Sequence, residues 1–143
     1  MSQIEDFSIL AYLHDAQVHR LVYYYVGADS RRCLELLVCG HKDCGYKLWA
    51  KKNVVLTFFD CLMVGGCLCG HMLGADSIDS FRTNYLLPEV EAKVAIGVMA
   101  GLRESPVKIS VAFSSGTELS IACELVTVFV ADRQDEDQEC RSL

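Results

Sequence analysis

Basic residues are in short supply. The chain has 13 Lys and Arg against 19 Asp and Glu, a formal charge of −6 with a pI near 5.1. No cluster of the kind that neutralises phosphates stands out, which argues against nucleic-acid binding. Also missing is any run of about 18 apolar residues, so no helical membrane span is expected. The opening MSQIEDFSIL carries acids where a signal peptide has its basic segment. A Gly-rich loop with a P-loop lysine and a Gly-x-Ser-x-Gly elbow are both absent, which removes the commonest phosphate-cradle and serine-hydrolase motifs. The expectation is a cytoplasmic protein that binds neither nucleic acid nor membrane.

What is present is apolar and β-rich. Of 143 residues, 52% are hydrophobic and 22% charged. A chain of this length buries enough surface to fold as one domain without disulfides or metal. QVHRLVYYYV at 17–26 reads as a strand, GADS turns the chain, and 31–40 returns as a second strand. Alternation puts Val18, Arg20, Val22, Tyr24 and Val26 on one face, and Gln17, His19, Leu21, Tyr23 and Tyr25 on the other. YKLWA at 46–50 reads as a short strand, and 54–64 as a buried strand broken by Gly65-Gly66. Residues 67–77 read as a ragged edge strand or a loop.

Val90, Ala92, Val94, Ile96 and Val98 alternate, so 90–99 is taken as a strand, although Pro88, Glu89 and Glu91 would suit a helix start. Residues 107–113 and 118–123 form the clearest hairpin, turning at SSGT. Residues 1–131 are expected to be a single domain, and 132–143 an acidic, disordered tail. The fold class is therefore mainly β (or α+β): an antiparallel sandwich or curled sheet of six to eight strands with little helix.

Two stretches carry metal-ligand residue types. Cys39, His41 and Cys44 form one, and Cys67, Cys69 and His71 the other. Neither has the paired Cys-x2-Cys spacing of a zinc knuckle. Eight cysteines in a reducing compartment should mostly be thiols, packed as small hydrophobes. No metal or cofactor is expected; zinc on the two clusters is the alternative. No catalytic residue is assigned. The candidate binding residues are His14, Asp15 and His19 at the entrance to the first long strand, with Tyr23 and Tyr25 further along one face.

Leu13-His14-Asp15-Ala16, followed by Val18, resembles the start of small bacterial β-rich proteins that include immunity proteins of polymorphic toxin systems. VVLTFFDC and ISVAFSSGTELSIACELVTV are similar to the later strands of those proteins. The resemblance spans residues 10–130 and fails at 61–73. It implies a domain without catalysis that binds another protein, such as a basic toxin domain. A subunit of a homo-oligomer, pairing through an edge at 61–73, is a further alternative.

Overall fold

A computed structural model describes residues 2–28, 31–67, 76–99 and 106–132. The strands are β1 (Ser2–Gln3), β2 (Gln17–Val26), β3 (Arg31–Cys39), β4 (Asn53–Phe59), β5 (Met63–Cys67), β6 (Ile78–Thr83), β7 (Val107–Phe113), β8 (Glu118–Cys123) and β9 (Leu125–Ala131). A 3-10 helix covers Phe7–Leu13, and α1 covers Pro88–Met99. All pairings are antiparallel, in a five-stranded sheet β1-β9-β4-β3-β2 and a four-stranded sheet β5-β8-β7-β6. Of the two expected arrangements, a sandwich or a curled sheet, the fold is two antiparallel sheets, with nine described strands where six to eight were expected. The acidic tail lies outside the described residues from 133 onward.

The core fills the space between the sheets. Leu34, Leu36 and Val38 on β3, with Val54, Leu56 and Phe58 on β4, face Ile109, Val111, Ile121 and Cys123 of the other sheet. Alternate residues of each strand therefore point inward, as the strand period of two requires. Leu10 and Leu13 of the 3-10 helix complete the same cluster.

Four expectations are corrected. First, the run 54–64 is two strands in different sheets. The chain leaves β4 at Asp60, whose φ of 54° turns it, and the break falls there rather than at Gly65-Gly66. Both glycines lie inside β5, where a Cβ on Gly66 would stand 2.0 Å from the Glu118 carbonyl oxygen. Second, 46–50 is a turn rather than a strand, with the Trp49 amide donating to the Tyr46 carbonyl.

Third, residues 88–99 are helix. Val90 and Val94, one turn apart, pack with Leu86 on Ala122 of β8, while Ile96 is 68% exposed. The alternation of Val and Ile imitated a strand, but the buried Val90 and Val94 stand one helical turn apart, at i and i+4. Pro88 at the first position and the acids behind it support the helix start. Ser120 fastens the approach, accepting from the Leu87 amide at 2.7 Å, and Ser110 donates to the Tyr85 carbonyl at 2.9 Å.

Fourth, the pairing register shifts between Val18 and Arg20 of β2. The extra residue, His19, breaks the alternation. Val18 then shares the inner face with Leu21, Tyr23 and Tyr25, not with Val22 and Tyr24.

Candidate functional site

Two surfaces hold the residues singled out by the sequence. The first is a cleft at the entrance to β2. Buried Leu10, Leu13 and Ala16 anchor the turn, and the Asp15 and Ile78 amides donate to the Ile78 and Ala16 carbonyls at 2.9 Å. With its apolar residues held inside, the turn leaves the His14 and Asp15 side chains more than half exposed. Asp15 sits at φ 67°, a left-handed conformation that Asp tolerates better than most residues. His14 Nδ1 lies 2.6 Å from the Asp79 carbonyl oxygen, so Nδ1 carries the proton and donates. That leaves Nε2 facing Asp15 Oδ1 at 3.5 Å.

The opposite wall comes from the loop between β3 and β4. Tyr12 stacks on Tyr46 with ring centres 5.6 Å apart, and Tyr46 meets the edge of Trp49 at 5.0 Å. The Cys44 thiol donates to the Tyr12 carbonyl at 3.1 Å. These contacts bring His41, Asp43 and Cys44 against His14 and Asp15 around a cleft of about 290 Å³. The Asp43 amide donates to His41 Nδ1 at 3.1 Å. The sequence reading had placed His14 and His41 in separate motifs. The aromatic packing of Tyr12, Tyr46 and Trp49 and the Cys44–Tyr12 hydrogen bond join them, and nothing in their spacing announces it.

The cleft holds two imidazoles, each beside a carboxylate. Its thiol is committed to a backbone carbonyl, not to an imidazole that would activate it. Among the described residues, no three His, Cys, Asp or Glu side chains converge as a metal ion requires. Cys39 of the first cluster is disulfide-bonded and offers no thiolate, an exception to the expectation of thiols. Its partner is none of Cys33, Cys44, Cys61 or Cys123, which form no disulfide. Cys69 and His71 lie outside the described residues, as does the side chain of Cys67. His19 sits buried at the bulge, away from the cleft opening.

The second surface is the far end of β2, roughly 25 Å along the strand from Asp15. Tyr23 and Tyr25 are 45% and 67% exposed, with ring centres 6.4 Å apart. As expected, they share a face and Tyr24 takes the other. Partial burial raises the Tyr23 hydroxyl above its usual range, opposed by Arg32 beside it. β2 ends its sheet, and its outer edge pairs only at Gln17, with Ser77, among the described residues. The five candidate residues thus fall into three places: His14 with Asp15 in the cleft, His19 at the bulge, and Tyr23 with Tyr25 at the rim.

Sequence reasoning missed Asp76. It is 3% exposed and accepts from Ser114 Oγ at 2.8 Å, Ser115 Oγ at 2.7 Å, and the Ser77 and Ser115 amides at 3.0 Å. The available signal was an Asp-Ser pair entering one strand and a Ser-Ser-Gly turn ahead of another.

The free thiols differ in accessibility. Burial, with Cys33 nearby, pushes the Cys61 thiol up to about 12, whereas Cys44 is partly exposed. At pH 8 a thiol with that pKa carries roughly a thousandfold less thiolate than an ordinary one. Iodoacetamide on the native protein is therefore expected to label Cys44 and spare Cys61 until denaturant is added. Peptide mass spectrometry reads the result, and equal labelling of the two in the native state would contradict it.

No protein-family model, no curated protein and no solved structure matches the chain. No described helix is long and apolar enough to cross a membrane.

Proposed function

We propose that the chain is a non-enzymatic protein-binding domain of the toxin-neutralising kind, contacting its partner through the open end of β2. The observation that supports this most is the adjacent, exposed pair Tyr23 and Tyr25 on a strand whose outer edge from Arg20 to Val26 faces no described strand. Tyrosines give a partner large, stiff, amphipathic contact area, and an unpaired edge offers main-chain hydrogen bonds. The charge of −6 suits a basic partner such as a toxin acting on nucleic acid, because opposite charge speeds encounter. The cleft at His14 adds acceptors at the other end of the same strand but no nucleophile and base in hydrogen-bonding reach.

The test is calorimetric titration against a toxin domain encoded beside this gene. A 1:1 complex is expected, weakened about 30-fold by Tyr25→Ala, the size of a binding hot spot. Absence of a complex, or a Tyr25→Ala affinity equal to wild type, would reject the reading.

A further inference from the structure

The two sheets treat their outer faces differently. α1 covers the four-stranded sheet, lying against β5 and β8. Among the described residues, no helix lies on the outer face of the five-stranded sheet. An antiparallel sheet with one face in water normally alternates polar residues outward. This one does not. The strand registers line up rows of Tyr24 with Cys33, Val22 with Glu35 and Thr57, and Leu37 with Val55 and Phe129. Val22, Tyr24, Leu37, Val55, Phe59 and Phe129 belong to neither buried core, and all are half-buried or exposed, Phe129 at 46%.

Charge is nearly absent across these rows. Arg20 and Glu35 bond to each other at 2.8 Å and cancel, and Arg31 stands at the exposed end of the face. The central rows therefore carry no lone charge into a dry interface.

We propose that this face is the interface of a homodimer, each copy laying the outer side of its five-stranded sheet on the other's. Four full strands spaced about 4.8 Å apart and seven residues long project to roughly 450 Å² per copy. The corrugation of side chains raises the accessible area, so a pair buries about 1,200 Å², the lower bound for a specific interface. The same patch on both sides is what a two-fold contact requires. A basic partner would gain little on a face whose central rows carry no net charge and whose end carries Arg31. Two acidic chains, by contrast, repel least where their charges cancel. Thr57 and Thr127 are buried low between the larger apolar rows, which gives the relief of ridge and hollow that packed sheets interdigitate. The face is separate from Tyr23 and Tyr25, which point to the opposite side of β2.

Sedimentation equilibrium on the full chain at about 100 μM tests the proposal. The expected mass is twice 15.9 kDa, with dissociation on dilution, as an interface of minimal size implies. Val55→Glu places a charge at the centre of the face while leaving the core untouched. Phe129→Ser removes its most exposed aromatic and serves if the first variant misfolds by circular dichroism. Each is expected to sediment at the single-chain mass. A wild-type protein that stays at the single-chain mass overturns the proposal, even if the face later proves to hold a different protein. So does a folded Val55→Glu or Phe129→Ser variant that remains a dimer.

Discussion

Asp76→Ala is expected to lower the unfolding free energy by about 3 kcal/mol, because it strands several donors gathered on one buried carboxylate. Those donors are the Ser114 and Ser115 hydroxyls and the Ser77 and Ser115 amides. They tie the turn between β7 and β8 to the start of β6. The Asp76 carbonyl also accepts from the Val18 amide at 3.0 Å, which links that knot to β2 in the other sheet. Asp76→Asn keeps one acceptor oxygen and should lose about half as much. Urea unfolding followed by circular dichroism measures both. An alanine variant with an unchanged midpoint would show that the serines satisfy one another, or water, without the carboxylate.

Gly40→Ala is the second large effect. A Cβ there would stand 1.9 Å from the Trp49 carbonyl oxygen and 2.9 Å from its carbon. Both are backbone atoms of a loop already pinned to Gly40 on two sides. The Gly40 amide donates to the Lys52 carbonyl at 2.9 Å, and the Lys51 amide donates to the Gly40 carbonyl at 3.1 Å. The loop must move away, at a cost of about 3 kcal/mol. Trp49 moves with it, and it is the only tryptophan in the chain, 3% exposed. Its fluorescence should shift to the red in the native variant, and the urea midpoint should fall. The same displacement pulls His41, Asp43 and Cys44 away from His14, so the cleft opens. An unchanged emission maximum and midpoint would mean that the close approach at Gly40 is slack.

The sandwich was legible in the sequence because most strands obey the period of two and sit between turn residues. Arg31–Cys39 and the hairpin of Val107–Phe113 with Glu118–Cys123 were read nearly to the residue. The misreadings share a cause: local pattern stands in for a tertiary fact. Val90 to Val98 alternates like a strand, yet Ala122 receives the segment as a helix through Val90 and Val94, with Ser120 holding the Leu87 amide just ahead of it. Gly65-Gly66 reads as a break, yet the glycines sit in β5 because the Glu118 backbone and Val90 crowd that strand too closely for side chains. The bulge at His19 has no composition cue, and it swaps Val18 to the other face.

The candidate site was legible only in pieces. Tyr23 and Tyr25 lie beyond the bulge, where alternation resumes, so their shared face followed from spacing. The cleft did not, since His14 and His41 meet through Tyr12 stacking on Tyr46. Asp76 was missed because its hydroxyl partners, Ser114 and Ser115, lie 38 and 39 residues away. The apolar outer face was hidden for a different reason. Until the order β1-β9-β4-β3-β2 is known, half-apolar strands look the same whichever side they bury.

The proposed function rests on β2 as the strand that would receive a partner. Hydrogen exchange on the chain alone and mixed with a candidate basic toxin domain tests this proposal most directly. The account predicts that complex formation slows exchange over Arg20 to Val26, where the open edge receives the partner. Slowing confined to the cleft loop at residues 41–45, with β2 unchanged, would contradict it.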